Sequence, residues 1–526
     1  DIWRLNRGGH DPHKVYAAYY AAMHHGGQPT VILAKTVKGY GMGDAGEANN
    51  TTHQQKSMDI ASLKTFRDRF DLALSDEQVE SLSFYKPPPD SPEMSYIAER
   101  REAMGGSIPS RRRQGNALKV PPLSSFNNLL SGSAEREIST TMAFVRILST
   151  LVRDKELGQF IVPIVPDEAR TFGMEGMFRQ LGIYASAGQL YEPEDSGQVM
   201  FYKEQKNGQI LEEGITEAGA FSSWIAAATS YSVSGVQMIP FYIFYSMFGF
   251  QRICDLAWAA GDSRARGFLL GATAGRTTLN GEGLQHEDGH SHLFAATIPN
   301  CIAYDPAYAY ELAVIIQHGL ERMVQNQEDV FFYITMMNEN YLQPAMPEGI
   351  VEGILAGMYK LRDGADVVLM GSGAILREVI AAADLLAHDW NITSELWSVT
   401  SFNELRREGL DVARHNLLHS EQRLSFVAQA LQHTQAPVIA ATDYMKAYAE
   451  QIATFIPNTF VALGTDGFGR SDSREALRHF FEVDRYWVTL NVLKTLADEG
   501  KLAHTQVTDA IQKYGFDIDK PNPTKV

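Results

Sequence analysis

The chain has 526 residues, 44% of them hydrophobic and 21% charged, which predicts an ordinary globular protein of two to four domains. Its net charge of −17 argues against nucleic acid as the main partner, because the phosphate backbone is also negative. Cys254 and Cys301 are the only cysteines, too few for a disulfide framework, and they favour a reducing, cytoplasmic compartment.

The first hundred residues predict helices around one apolar strand. Asp11-Pro12 is typical of a capped helix start, and Gly26-Gly27 predicts its end. Residues 29–37 form an apolar run that predicts a strand, followed by the glycine-rich loop 38–43 and a polar loop. Helices are expected to continue to about Met104. The chain opens on Asp1 and reaches the strand within 40 residues, so we expect its start to lie inside a domain.

A linker, residues 108–125, separates this region from two further α/β regions. Its three consecutive arginines favour a solvated linker over a nucleic-acid patch. Strands are predicted at 160–165, 209–211, 237–245, 267–270, 330–335, 366–370, 393–399 and 438–441. Apolar residues at helical spacing predict a helix at 144–152, and a second helix is predicted at 374–386. This alternation predicts parallel sheets flanked by helices, with domains at 1–116, 117–346 and 347–526.

The longest uncharged stretch, Ala218 to Gln251, has the length of a membrane span. It contains five serines, a threonine, a glutamine and Pro240 before residue 246, which makes it too polar and too interrupted for a membrane helix. We interpret it as a buried helix followed by a buried strand.

Two short motifs point to other chemistries. His286-Glu287-Asp288-Gly289-His290 has the zinc-protease spacing, but the surrounding glycines argue against the helix that this site requires. The turn Gly371-Ser372-Gly373 lies between a strand and a helix, as in a dinucleotide-binding fold, but Leu376 takes the place of the third glycine. A polar loop that faces a small ligand explains the first motif better, and the second is common in α/β domains.

Glu217 is the last charged residue before the uncharged stretch. A carboxyl group at such an apolar boundary is partly desolvated, which favours a shared proton and a functional role. A glutamate at a helix start, facing the helix dipole, has the same sequence pattern. The segment by itself does not separate these two interpretations.

Several long runs together resemble the homodimeric bacterial type of pyruvate dehydrogenase, the thiamine-diphosphate component of the pyruvate dehydrogenase complex. The runs are residues 5–12, 38–43, 167–176, 245–252, 275–283, 288–292 and 464–470. The resemblance implies a transketolase-like, thiamine-diphosphate-binding α/β fold with three α/β units. It also implies a homodimer with active sites between two subunits.

The resemblance implies a set of residues around the thiamine diphosphate. Glu217 would hydrogen-bond to the pyrimidine and so promote loss of the thiazolium proton. General acid–base help of this kind accelerates a reaction by about 10²- to 10⁴-fold. Phe248 would stack on the pyrimidine. Other residues of the cofactor site would be Asp167, Glu168, Ile215 and Arg252.

The resemblance also implies groups that face pyruvate and its adducts. Lys38 and Glu282 would bind substrate, while His53, Tyr245 and His286 would be catalytic. His53 lies on the polar loop, which would close over the site and guide a lipoyl arm inward.

Partners and metal are implied in the same way. The expected reaction is oxidative decarboxylation of pyruvate, with acetyl transfer to the lipoyl domain of a dihydrolipoyl acetyltransferase. The family's Mg²⁺ and diphosphate ligands are expected upstream of Asp1, so the resemblance implies a fragment that is weak or inactive alone. Alternatives are another thiamine-diphosphate enzyme, such as a different 2-oxo acid dehydrogenase or a transketolase, a nicotinamide-dependent dehydrogenase, or a non-catalytic piece that only assembles.

Overall fold

The computed structural model describes residues 8–106, 112–166, 169–194 and 202–526. The chain divides into two compact units, Asp1–Ser110 and Arg111–Val526. Nowhere in these described residues is a helix both long enough and apolar enough to cross a membrane.

The first unit is helical where it is described. Its helices are α1 (Pro12–Met23), α2 (Ile60–Arg69), α3 (Asp76–Glu80) and α4 (Pro92–Ala103). The predicted start of α1 is confirmed, since the Asp11 carboxylate accepts hydrogen bonds from the backbone N–H groups of His13 and Lys14. The prediction that helices continue to about residue 104 is also confirmed.

The strand predicted at residues 29–37 is wrong. This segment forms no strand, and the side chains of Val31 and Leu33 are 82% and 93% exposed. A strand is stabilised by a hydrogen-bonded neighbour, and the described part of the first unit contains none. Apolar composition cannot reveal whether a neighbour is there. Of the three predicted α/β units, only the two in the second unit therefore have a sheet in the described residues.

A six-stranded parallel sheet forms the first half of the second unit. Its spatial order is β4-β1-β5-β6-β8-β7. The strands are β1 (Ile161–Val165), β4 (Leu211–Glu212), β5 (Ile239–Tyr245), β6 (Phe268–Ala272), β7 (Cys301–Tyr304) and β8 (Phe331–Thr335). A separate parallel pair joins β2 (Ile183–Tyr184) to β3 (Glu204–Gln205). The strand predictions in this region are confirmed within about two residues, and β2, β3 and β7 were not predicted.

Helices cover both faces of this sheet, which is why its strands are apolar on both sides. Along β5, Phe241 and Ile243 enter one hydrophobic core while Tyr242 and Phe244 enter another. The helices are α5 (Asn127–Leu130), α6 (Thr140–Leu151), α7 (Glu175–Leu181), α8 (Glu217–Ala228), α9 (Ser230–Ser234), α10 (Ser246–Asp262), α11 (Ser291–Ala295) and α12 (Ala309–Leu320). The uncharged stretch is thus a buried helix, α8, followed by the buried strand β5, as predicted.

The second half of this unit is a five-stranded sheet with the order β13-β12-β10-β11-β9, in which only β9 is antiparallel. The strands are β9 (Met358–Arg362), β10 (Val367–Gly371), β11 (Ser394–Val399), β12 (Val438–Ala441) and β13 (Phe460–Leu463). The helices are α13 (Val351–Ala356), α14 (Leu376–Trp390), α15 (Phe402–Leu418), α16 (Phe426–Leu431), α17 (Lys446–Glu450), α18 (Arg474–Phe480), α19 (Arg485–Asp498) and α20 (His504–Tyr514). We call this part the C-terminal domain. Strands β9 and β13 were not predicted.

Candidate active site

The sequence-predicted residues of the second unit follow the carboxyl ends of neighbouring strands. Strand β4 ends shortly before Glu217, β5 ends at Tyr245, and β6 leads into the loop that carries Glu282 and His286. These strands and β1 are contiguous in the order β4-β1-β5-β6. Because all four are parallel, their carboxyl ends share one edge of the sheet, the usual place for a ligand in this architecture.

Glu217 is held at this edge as the first residue of α8. The Thr216 hydroxyl caps the helix by accepting a 3.2 Å hydrogen bond from the Gly219 N–H. Glu217 is buried and packs near Tyr242, whose hydroxyl has no hydrogen-bond partner among the described residues. Burial, together with the Glu217 charge, raises the pKa of Tyr242 above its ordinary value. The carboxylate thus lies at the apolar boundary that the sequence predicted.

Three aromatic rings form a cluster beside this carboxylate. The ring centroids of Tyr245 and Phe248 are 5.9 Å apart, and the His286 ring lies 5.3 Å from the first and 5.1 Å from the second. The Phe172 ring makes an edge contact with Tyr245, with the two ring centroids 5.6 Å apart. Rings at such distances attract one another through their quadrupoles, and they form an apolar wall that suits a planar ligand.

Arg252 joins the ring cluster to Glu217. Its guanidinium carbon lies 4.2 Å from the Phe248 ring centroid, and its Nη1 donates a 2.6 Å hydrogen bond to Oε1 of Glu217. The Arg252 side chain is 49% exposed, whereas that of Glu217 is 11% exposed. The guanidinium therefore approaches from solvent and covers both the carboxylate and one face of the ring.

Glu282 extends the cluster on its other side. Its Oε2 lies 4.0 Å from Nδ1 of His286, and the same ring nitrogen is 3.3 Å from the Gly283 carbonyl oxygen. Glu282 is exposed and His286 is half-buried. A continuous row of contacts therefore runs from Glu282 through His286, Phe248 and Arg252 to Glu217.

Ile215 lies close to Glu217 in the chain, but its side chain is 77% exposed. Asp167 and Glu168 lie outside the described residues, just after the carboxyl end of β1. They remain predictions, as does the role of Ile215.

Lys38 and His53 belong to the first unit, where both are exposed. Their loop is held locally, since the Lys38 carbonyl accepts a 2.9 Å hydrogen bond from the Ala48 N–H. Gly39 has a φ of 71°, and a Cβ there would lie 2.5 Å from the Gly46 carbonyl oxygen. Only glycine therefore fits this close turn. His53 ends the 3₁₀ helix Asn50–His53.

Sequence reasoning missed a buried acid that fixes the base of the His286 loop, which we define as residues 275–290. The Asp443 carboxylate follows β12 and accepts four hydrogen bonds, from the backbone N–H and the hydroxyl of both Thr277 and Thr278. Burial raises its pKa. Its position at the carboxyl end of a predicted strand was the available signal.

Neither of the two competing motifs has the geometry that its chemistry requires. Residues 284–286 form a single 3₁₀ turn rather than an α-helix, and the described residues hold no group of three or more His, Cys, Asp or Glu placed to bind a metal. At the Gly371 turn, a Cβ on Gly373 would lie 2.6 Å from Oδ2 of the buried Asp305 and 2.5 Å from Met337. Met337 and the buried Asp305 carboxyl group therefore occupy the place beside this turn that a pyrophosphate would need.

Comparison with known proteins shows what the chain is similar to. Residues 118–344 match the family described as the pyruvate dehydrogenase E1 component middle domain, and residues 357–484 match the transketolase-like C-terminal domain. Two proteins called pyruvate dehydrogenase E1 component are 62% and 64% identical to the chain, from Cupriavidus necator and Pseudomonas aeruginosa respectively. The alignments cover 100% and 99% of this chain. Over its whole length the chain is therefore similar to pyruvate dehydrogenase E1 components.

The chain spans 60% of the length of each of these E1 components. The solved structures that resemble it include transketolases from Campylobacter jejuni and Pichia stipitis, with TM-scores of 0.63 and 0.64. The first covers 92% of this chain and 66% of the transketolase, and the second 94% and 66%. Their sequence identities are only 16% and 14%, so they establish the transketolase-like fold of this chain and nothing about its substrate.

Proposed function

We propose that this chain contributes the pyrimidine-binding and C-terminal parts of a thiamine-diphosphate-dependent pyruvate dehydrogenase. The observation that carries the proposal is the buried carboxylate of Glu217 beside the rings of Phe248, Tyr245 and His286, in a chain 62% identical to a named E1 component. The reaction is oxidative decarboxylation of pyruvate, followed by acetyl transfer to a lipoyl group on an acyltransferase partner. A homodimer and a cytoplasmic location belong to the same proposal.

The residues present fit an aminopyrimidine. A planar heteroaromatic ring needs an aromatic wall and a hydrogen-bonding group at its edge. Phe248 and Glu217 can provide them, since both contact the Arg252 guanidinium. Arg252 now covers one face of Phe248 and pairs with Glu217, so this half-exposed side chain must turn into solvent before a ring can occupy that face. When bound, thiamine diphosphate supplies the carbanion chemistry that decarboxylation requires.

The chain's own residues then have separate tasks. Glu217 would offer its carboxyl group as the hydrogen-bonding group at the edge of the pyrimidine. Tyr245 and His286 offer a hydroxyl group and an imidazole at one apolar wall, where they can bind and orient the carboxylate of a 2-oxo acid. Glu282 orients His286 from its solvent side. Because the wall is apolar, it excludes water and strengthens these polar contacts.

The other residues of the proposal are assigned from the family resemblance alone. Asp167, Glu168 and Ile215 are proposed neighbours of the cofactor, Lys38 a cationic group for the pyruvate carboxylate, and His53 a group that serves lipoyl transfer. The proposed domains are residues 1–116, 117–346 and 347–526. Mg²⁺ is proposed to bind together with the diphosphate.

The proposal is tested by pyruvate-dependent dye reduction with thiamine diphosphate and Mg²⁺. Two proteins are compared: the chain itself, and an extended chain joined to the part of the Pseudomonas aeruginosa relative that it does not match. We expect turnover of pyruvate by the extended chain, and little turnover by the chain itself. Parallel assays with 2-oxobutyrate and sugar phosphates separate the thiamine-dependent alternatives. Turnover of a sugar phosphate in preference to pyruvate would contradict the assignment.

Replacement of Phe248 by alanine should weaken thiamine diphosphate binding by the extended chain. The lost ring contact amounts to about 1.4 kcal/mol, which is a tenfold rise in the cofactor concentration needed for half-maximal activity. Phe84→Ala, at a fully exposed ring in the first unit, is the control and should leave this concentration unchanged. The same half-saturating thiamine diphosphate concentration in both variants would contradict the assignment of Phe248 to the cofactor site.

A further inference from the structure

The His286 loop is fastened to the C-terminal domain along most of its length. The Gly281 N–H donates to the Asp472 carbonyl at 3.3 Å, and the Met445 N–H donates to the Gly289 carbonyl at 2.8 Å. The guanidinium of Arg276, which belongs to the loop, donates hydrogen bonds to the carbonyl oxygens of Thr465 and Gly467. The C-terminal domain therefore determines where the loop presents its side chains.

One of these fastenings depends on a carboxyl group, that of Glu287. Its Oε2 accepts a 2.6 Å hydrogen bond from the Arg470 N–H, while its Oε1 is buried with no hydrogen-bond partner among the described residues. Glu287 is fully buried although its neighbour His286 reaches the ring cluster. The Gly469 backbone packs so closely that a Cβ there would lie 2.4 Å from the Leu284 carbonyl oxygen. The same Cβ position would lie 3.0 Å from Cβ and 3.1 Å from Oε2 of Glu287.

The charged groups around Glu287 do not neutralise an ionised carboxylate. Arg276 favours the charged form, but its Nη1 donates to two carbonyl oxygens of the C-terminal domain, and the buried Asp443 adds negative charge. The Asp288 carboxylate accepts a hydrogen bond from the Ser291 hydroxyl. The His286 and Glu282 side chains lie on the solvent side of the loop. The Arg470 side chain extends over the Phe480 ring instead. Burial accordingly raises the pKa of Glu287 to about 8, against the opposing effects of the Arg470 N–H and Arg276.

We propose that Glu287 is a positioning residue that latches the His286 loop to the C-terminal domain, and that the latch holds only while its carboxyl group carries a proton. The catalytic consequence of the latch rests on the proposed function, because the loop presents His286 and Glu282. The latch itself does not depend on that function.

The latch predicts a particular pH dependence of loop opening. An opened loop exposes Glu287 to water, where its pKa returns to the ordinary value of 4.5, whereas the closed loop keeps it at about 8. The closed form therefore binds the extra proton, and its stability is complete below pH 4.5 and is lost as the pH rises towards 8. The opening constant should rise about tenfold per pH unit in this window and level off above it.

Hydrogen–deuterium exchange of the 526-residue chain without cofactor or substrate tests the latch, with rates corrected for the intrinsic pH dependence of exchange. In the wild type, we expect opening at residues 281–290 and at Arg470 to rise about tenfold per unit from roughly pH 5.5 to 7.5. Glu287→Gln keeps the acceptor oxygen and cannot ionise, so its opening should stay low and lose this slope. Glu287→Ala should open the loop at every pH, and Glu475→Gln, at an exposed glutamate on α18, should behave as wild type.

Two outcomes would overturn the latch: a wild-type opening constant with no pH slope in this window, or a slope that survives in Glu287→Gln. Because the measurement requires no turnover, it can fail while pyruvate activity is present, and it can succeed while that activity is absent. The two proposals are therefore distinguishable.

Discussion

Glu217→Gln should lower pyruvate-dependent dye reduction by the extended chain by about 10²- to 10⁴-fold, the range typical of a lost general acid–base group. Glutamine has the size of glutamate, but its amide cannot hold and return a proton at the position that faces the pyrimidine. The variant should stay folded, because the Glu217–Arg252 ion pair has a half-exposed partner and such pairs contribute at most about 1 kcal/mol. The measurement is turnover at saturating thiamine diphosphate.

Glu213→Gln is the matched control for this experiment. Glu213 lies four residues earlier in the chain, is only partly buried, and is not in the contact row that ends at Glu217. Its replacement should leave turnover within about twofold, since it faces no reacting group. Turnover by Glu217→Gln within tenfold of the wild type would contradict the role assigned to this carboxylate.

Asp443→Ala should lower the free energy of unfolding of the chain by roughly 3 kcal/mol or more at pH 7. The variant leaves two buried backbone N–H groups and two hydroxyl groups without their acceptor, at about 1–3 kcal/mol for each unsatisfied group. Thr277 and Thr278 form the base of the His286 loop, so the loop should lose exchange protection as well. Urea unfolding followed by tryptophan fluorescence measures the first effect.

Asp472→Ala provides the control, because the Asp472 carboxylate is exposed and, among the described residues, accepts a hydrogen bond from the adjacent Ser473 N–H alone. The backbone carbonyl that bonds Gly281 is retained in this variant. Its free energy of unfolding should change by less than about 0.5–1 kcal/mol. An Asp443→Ala protein as stable as Asp472→Ala would show that this buried acid does not hold the loop base.

The fold was predictable where hydrophobic runs were long and flanked by turns. Residues 239–245 and 331–335 are strands because they are apolar on both faces, which is typical of a sheet covered by helices. The edge strand Met358–Arg362 was missed because it is antiparallel and carries Lys360 and Arg362, a polar pattern that resembles a loop. The run 29–37 was assigned wrongly for the opposite reason, since an apolar run predicts a strand only if a partner strand pairs with it.

The candidate site was predictable as a set of segments, but not in its internal contacts. Long runs shared with a family contain Tyr245 and Phe248, the uncharged stretch singled out Glu217, and the resemblance implied His286. The parallel sheet explains why these residues lie at one edge. The pairing of Arg252 with Glu217 joins residues 35 apart in the chain and has no local signature. Glu287 looked like part of a polar loop, because burial of a single acid depends on packing against a distant domain.

The most direct test of the account is a structure of the extended chain with thiamine diphosphate and Mg²⁺. We predict a distance of about 2.6–3.2 Å between a Glu217 carboxylate oxygen and a pyrimidine ring nitrogen, with Arg252 turned away from the face of Phe248 that it now covers. A pyrimidine ring more than about 6 Å from Glu217, with the Arg252 ion pair still closed, would contradict it.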